Sequence, residues 1–358
     1  MRQVIKVAIA TAAAASLSLA GCASTPAASP APSTGGEATS AAPAPEQAIK
    51  VGMAFDVGGR GDQSFNDSAA AGLDKAAAEF GAEGMDVAAV AGEAESARTE
   101  RLQQLIDAGY TNIVAVGFAY AKSVGEVAKA NPDVKFAIVD DASADSTGDN
   151  IMNIVFAEHE GSFLVGAAAA LKTKTDHIGF VGGVETDLIK KFEAGFQAGA
   201  KAVNPDIKID STYLTQPPDF SGFGDPAKGK TAADGMFQAG ADIVYHAAGG
   251  SGGGVFTAAK DAGGWAIGVD SDQALTAAED VRDIVLTSML KRVDVGVYDF
   301  IKSIHDGTFT AGPKVFDLKA DGVGYSTTGG HVDDIKAELD GYREQIISGA
   351  IVVPETVS

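Results

Sequence analysis

From Ile49 onward, short apolar runs bounded by Gly, Asp or Asn alternate with amphipathic segments, and this alternation limits the fold more than any other feature of the chain. The runs IKVGMAF, MDVAAV, NIVAVGF and VKFAIVD are separated by helical patterns near residues 65–80, 95–108 and 119–130. Strands that are apolar along their whole length are covered on both faces, and strands joined through helices pair in parallel, so the pattern predicts βαβ units. The rhythm then restarts. NIVF leads into the helix HEGSFLVGAAAALK, followed by HIGFVG, a helix near 187–203, IKIDSTYL, a helix near 227–239, ADIVYHA, a helix near 253–262 and WAIGVD. Two such sets within 358 residues predict two doubly wound α/β lobes rather than one very large sheet. A later segment, RDIVLTSMLKRVDVGVYDFIKSI, reads as a strand running into an amphipathic helix. The expected division is lobe 1 at residues 48–156, with about 287–312 returning to it, and lobe 2 at 157–286, with about 313–358. Repeated crossings of this kind make a hinge, with a ligand at the carboxyl ends of the strands.

The N-terminus carries a different signal. Arg2 and Lys6 precede the apolar stretch VAIATAAAASLSLA (7–20), which is too short to span a bilayer comfortably. It ends in Leu19-Ala20-Gly21-Cys22, and Cys22 is the only cysteine, so no disulfide can form within the chain. Small residues before a cysteine resemble the bacterial lipobox, in which the thiol receives diacylglycerol and the signal (1–21) is cut just before it. Residues 23–47 hold only Ala, Ser, Thr, Pro, Gly, Glu and Gln. Such a stretch has no large side chain to offset its ordering entropy, and 22–47 is expected to be a lipidated cysteine followed by a disordered tether.

A formal charge of −21 repels phosphate backbones, which argues against nucleic-acid binding. The five histidines are scattered, with no H-E-x-x-H or paired-cysteine spacing, and no G-x-S-x-G elbow occurs. No metal, cofactor or catalytic constellation is therefore expected, and the chain reads as a binding protein rather than an enzyme.

Candidate binding residues cluster in loops that follow strands. In the loop Phe55–Asp67, Asp56 ends the first strand, while Phe65, Asn66 and Asp67 open the first helix, so these groups can face a cleft. The alternative is that Ser64 or Asp62 caps the helix, Asp67 favours its dipole and Phe65 staples its start. No phosphate-binding glycine pattern is present, and the aspartates of this loop would repel a phosphate. The loop 246–254 is glycine-rich around Gly249 and either lets backbone amides approach a ligand or is a flexible turn. Asp270 ends the strand WAIGVD, and Lys291 follows LTSML. One accepts and the other donates, so together they can grip a diol or else form a hinge salt bridge. Phe223 lies in a Gly/Pro-rich loop with no helix or strand face to pack on. Paired with Phe65 across a cleft it would sandwich a planar base, an arrangement that with polar sugar contacts describes a nucleoside site.

Six stretches carry a family resemblance: DVGGRGDQSFNDSAAAGL (56–73), EHEGSFLVGAAAAL (158–171), IGFVGGVETDLIKKFEAGFQAGAK (178–201), DPAKGKTAADGMFQAGADIVYHAAGGSGGGVF (225–256), WAIGVDSDQ (265–273) and LTSMLKRVDVGVYD (286–299). They resemble the basic membrane protein (BMP) family of substrate-binding lipoproteins, and within it the purine nucleoside receptors of ATP-binding-cassette (ABC) importers. The resemblance implies the type I periplasmic-binding-protein fold, a nucleoside ligand with purines favoured, and delivery to a membrane permease and ATPase from the extracytoplasmic face of the cell membrane. It also implies residue roles: Phe65 and Phe223 stacked on the base, Asp56, Asn66 and Asp67 on its edge or the sugar side, and Gly249, Asp270 and Lys291 on the ribose hydroxyls. Phe220 is an alternative second ring, and Asn66 and Asp67 could exchange roles. A sugar receptor of the same fold and an extracellular nucleoside hydrolase are the competing readings.

Overall fold

A computed structural model describes residues 48–357. The signal, Cys22 and the tether expected in residues 1–47 lie outside the described residues. The chain runs β1 (Lys50–Phe55), α1 (Phe65–Phe80), β2 (Glu83–Ala88), α2 (Glu95–Asp107), β3 (Asn112–Val116), α3 (Ala121–Ala130), β4 (Lys135–Val139) and β5 (Ile151–Phe156). It continues through α4 (Glu158–Lys172), β6 (His177–Val184), α5 (Asp187–Val203), β7 (Lys208–Thr215), α6 (Pro226–Gln238), β8 (Ile243–Ala247), α7 (Gly252–Ala262), β9 (Trp265–Asp270), α8 (Gln273–Thr276) and β10 (Val285–Lys291). The last elements are α9 (Val293–His305), β11 (Gly312–Phe316), β12 (Val323–Tyr325) and α10 (Lys336–Ile347).

The strands form two sheets of six, ordered β11-β5-β4-β3-β1-β2 and β12-β10-β9-β8-β6-β7. The first sheet is parallel throughout, and in the second only β12 runs antiparallel, against β10. This is the two-lobed, doubly wound architecture that the alternating pattern predicts, with the same strand order in each half. The central strands β3, β6 and β8 are buried along their whole length, as continuous Val/Ile/Phe-rich runs require when helices cover both faces. Each sheet has a core cluster on either side, for example Val51, Met53 and Val114 on one face of the first sheet and Ile113, Phe136 and Ile138 on the other.

The late part of the chain differs in detail from expectation. All of β10, residues 285–291, belongs to the second sheet, so the return to lobe 1 falls at Arg292 rather than near 287. Lobe 1 then keeps β11 as its sixth strand, up to Phe316 rather than 312. The chain thus crosses between lobes three times, after β5, after β10 and after β11. The short strands β11 and β12 carry only 5 and 3 residues, and with α10 they had no pattern strong enough to be read from sequence.

Helices α4 and α5 meet backbone to backbone. A Cβ on Gly199 would lie 1.9 Å from the Phe163 carbonyl oxygen, and one on Gly195 would lie 2.1 Å from that of His159. Backbone cannot step aside as a side chain can, so overpacking here is costly. By contrast, nothing lies within 4 Å of a Cβ on Gly235, inside α6. Gly199→Val should destabilise the fold by about 3 kcal/mol in urea denaturation. Gly235→Ala should stabilise it by up to about 1 kcal/mol, through helix propensity alone. Equal effects at the two positions would contradict the packing described.

Candidate functional site

In each sheet the strand order reverses direction once, between β1 and β3 in lobe 1 and between β6 and β8 in lobe 2. Ligands of open parallel sheets bind outside the carboxyl ends of the strands at such a point. A cavity lies there, with about 520 Å³ of space between atoms, part of it open to solvent. Its lining comes from both lobes. Asp56 and Asn66 follow β1, Gly117 and Phe118 follow β3, and Asp140 follows β4. From lobe 2 come Leu188, Ile189 and Phe192 of α5, Phe223, Gly249 after β8, Asp270 at the end of β9 and Lys291 at the end of β10. The cavity therefore gathers Asp56, Phe65, Asn66, Phe223, Gly249, Asp270 and Lys291, all expected from sequence.

Asp67 is the exception. It does not line the cavity, because its carboxylate accepts from the Gly61 amide (2.7 Å) and the Gln63 amide (2.9 Å) and folds the preceding loop. The helix cap is Asp62 rather than Ser64: its carboxylate accepts from the amides of Ser64, Asn66 and Asp67 at 2.8–3.0 Å. Asn66 faces the cavity with its amide group already engaged, Oδ1 accepting from the Asp56 amide (3.1 Å) and Nδ2 donating to Asp62 (3.0 Å).

Two glycines make room for neighbours. A Cβ on Gly117, whose φ is 109°, would come within 3.0 Å of Asp56 Oδ2. A Cβ on Gly183 would come within 2.5 Å of the Phe223 ring, which therefore lies directly against backbone. Phe223 is the second cavity ring. Phe220 sits outside the lining, edge-on to Phe118 with centroids 5.9 Å apart and beneath the Arg98 guanidinium at 5.6 Å.

Lys291 is 2% exposed. Its ammonium donates to Asp140 Oδ2 at 2.5 Å, lies 3.7 Å from Glu158, and faces the rings of Phe65, Phe156 and Phe192 at 4.9–5.5 Å. Burial alone would lower its pKa, but Asp140, Glu158 and Asp270 together raise it, so it stays charged. Burial pushes Asp56 and Asp270 up to about 6 and Glu158 to about 7, and raises Asp140 and Asp62 as well, with Lys291 opposing the shift at Asp140, Glu158 and Asp270. Asp140 and Asp270 both adopt the left-handed backbone conformation, with φ of 68° and 63°. They occupy equivalent positions, since β4 and β9 are the fourth strands of their respective lobes. Neither Asp140 Oδ1 nor Glu158 Oε2 has a hydrogen-bond partner. The carboxylates of Asp56, Asp62, Asp140 and Asp270, with one already paired ammonium, make a wall rich in acceptors, suited to an uncharged ligand that donates hydrogen bonds.

Reasoning from sequence missed Asp140, Phe118 and the first turns of α5. The run VKFAIVD ends in aspartate as WAIGVD does, a parallel that could have located Asp140. Leu188, Ile189 and Phe192 belong to an ordinary amphipathic pattern that does not distinguish a cleft from a core. Among the described residues, no group of three or more His, Cys, Asp or Glu could hold a metal ion, and no helix is long and apolar enough to cross a membrane.

Comparison with known proteins places this architecture. Residues 49–357 match the Bmp family, described as "ABC transporter substrate-binding protein PnrA-like". A CD4+ T-cell-stimulating antigen of Listeria monocytogenes is 39% identical over 323 residues, covering 85% of this chain and 88% of that protein. The ABC transporter nucleoside-binding protein BmpA of Lactococcus lactis is 36% identical over 321 residues, covering 86% and 89%. The crystal structure of an ABC transporter solute-binding protein from Aeropyrum pernix superposes with a TM-score of 0.75 at 30% identity, covering 86% of this chain and 94% of that one. The chain belongs to the Bmp family of ABC transporter substrate-binding proteins.

Proposed function

We propose that this protein captures nucleosides, with purine nucleosides favoured, and delivers them to the permease and ATPase of an ABC importer, tethered outside the cytoplasm by lipid on Cys22. The observation that carries the reading is that rings from opposite lobes, Phe65 and Phe223, line one cavity together with Asp270 and Lys291. Two aromatic faces suit a flat heterocycle, and an acceptor-rich wall suits the hydroxyls of a ribose. In this account Phe65 and Phe223 stack on the base, Asp56 and Asn66 meet its edge, and Gly249, Asp270 and Lys291 hold the sugar. Asp67 has no part in it. The printed name of the Lactococcus relative agrees with this ligand class. Closure is a population shift, driven by contacts that a ligand makes to both lobes only when they meet.

Mass spectrometry of the small molecule that co-purifies with the protein tests the ligand directly, and calorimetry with inosine and with ribose tests the class. Inosine should bind far more tightly than ribose; the reverse would favour a sugar receptor. Release of hypoxanthine from inosine would contradict a binding role and point to hydrolysis.

Phe65→Ala should weaken inosine binding at least about tenfold, since base stacking contributes roughly 1–3 kcal/mol. The thermal midpoint of the ligand-free protein should fall only modestly, because Phe65 is half-buried at the edge of the core, where its ring also faces the Lys291 ammonium. A large loss of stability with unchanged affinity would assign Phe65 to the core.

The buried aspartates predict a pH dependence. Asp56 and Asp270 titrate near 6 in the folded chain against an ordinary value of 3.8. The folded state thus binds the extra protons, and the stability these groups contribute is complete below the ordinary value and lost as pH rises through about 6. Asp56→Asn and Asp270→Asn should each leave the ligand-free thermal midpoint at neutral pH equal or higher, and shrink the gain seen on acidification to about pH 5. Inosine affinity should fall at least about tenfold in each, because a ligand donor loses a charged acceptor. A lower midpoint with affinity retained would contradict the assignment.

A further inference from the structure

On one rim of the cavity, the loop before α1 reaches across to lobe 2 through groups that, Asp270 apart, do not line the cavity. Ser64 Oγ donates to Asp270 Oδ2 at 2.7 Å. Ser271 Oγ donates to the Ser64 carbonyl at 2.9 Å, and both Gln273 Nε2 and Thr276 Oγ1 donate to the Gln63 carbonyl at 3.0 Å. Of these residues only Asp270 belongs to the cavity wall.

The lobe 1 side of this contact is held in place in advance. Gln63 has a left-handed backbone, φ 58°, and its amide is fixed by the Asp67 carboxylate while the Ser64 amide is fixed by Asp62. Asp62 and Asp67 thus present two adjacent carbonyls to three donors on the opposite lobe. On the lobe 2 side, Gln273 is anchored by its own second bond, from the Val269 amide to Oε1 at 2.8 Å. Each cross-lobe bond exists only while the lobes are together, and every group making it can turn to water when they part.

We infer that Gln63 and Ser64 on one lobe and Ser271, Gln273 and Thr276 on the other form a latch that holds the shell shut and sets how long a ligand stays, without touching the ligand. The physical argument is one of populations. Observed affinity scales with the fraction of protein in the binding-competent state, and interactions unique to that state raise the fraction whatever the ligand. The latch is also tied to the cavity at one atom pair. A ligand that fixes the Asp270 carboxylate through one oxygen orients the other toward Ser64, so ligand contact and lobe contact reinforce each other. These are positioning residues, and their role goes beyond the nucleoside reading because it requires no particular ligand.

Ser271→Ala combined with Thr276→Val removes two donors while keeping volume nearly constant and leaving Gln273 to satisfy the Gln63 carbonyl. In the full chain, stopped-flow measurement with inosine should show dissociation about tenfold faster, as expected for two lost hydrogen bonds that exist only while the lobes are together. A second readout needs no ligand. Hydrogen–deuterium exchange of the ligand-free protein should quicken at residues 117–120 and 220–224, on the other rim, where Phe118 meets Phe220 and Phe223 edge-on. A purely local role for the two hydroxyls would leave that rim unchanged. Ser271→Thr with Thr276→Ser, which keeps both hydroxyls, should restore both readouts. Unchanged exchange at the far rim, or a loss that the hydroxyl-bearing variant shares, would overturn the latch. If the wild-type protein fails to bind inosine, the nucleoside reading falls by itself, and the exchange measurement still decides the latch.

Discussion

One buried ammonium ties the two halves of this molecule together. Lys291 closes the last parallel strand of lobe 2, at the point where the chain crosses back, and donates to Asp140 at the end of a lobe 1 strand. Removing such a pair from water costs several kcal/mol per ion, and the cost is offset only by close geometry and further favourable contacts. Here those contacts are the second carboxylate, Glu158, and three aromatic faces. One of these rings is Phe65, itself part of the cavity wall, so the ion pair and the proposed stacking surface are packed against each other. Crossing, charge and cavity occupy the same few ångströms.

The rest of the site follows from building it twice. Two sheets with one strand order place two reversal points face to face, and the fourth strand of each lobe ends in an aspartate in left-handed conformation. Aspartate tolerates that conformation better than most residues, and strained backbone of this kind gathers at functional sites. The resulting excess of buried carboxylates raises their pKa values and lowers stability. A fold that keeps such a feature does so where acceptors are needed. On the proposed reading, ligand hydroxyls donate to this wall.

Much of this was legible in the sequence, for definite reasons. Strands buried on both faces declare themselves as apolar runs, so both lobes and the cavity residues at strand ends, such as Asp56 and Asp270, could be located. Phe223 stands out because a ring in a Gly/Pro-rich loop has no helical or strand face to occupy, and Phe65 because it opens a helix among several polar groups that capping alone does not explain. In sequence, a carboxylate at a helix start looks the same whether it meets a ligand or, like that of Asp67, backbone amides of its own loop. The place of Asp140 at a strand end is legible, but its pairing with Lys291, 151 positions away, is not, and Glu158, 133 positions from the same lysine, has no local pattern to mark it. The boundary near β10 is illegible for a related reason: a strand leading into a helix does not say which sheet accepts the strand.

The central claim is that a flat heterocycle lies between a ring of lobe 1 and a ring of lobe 2. A crystal structure of the protein soaked or grown with inosine tests it most directly. The account predicts the hypoxanthine plane between Phe65 and Phe223, with ribose hydroxyls within hydrogen-bond distance of Asp270 and Lys291. A base lying elsewhere in the cleft, with either ring turned away from it, would contradict the account.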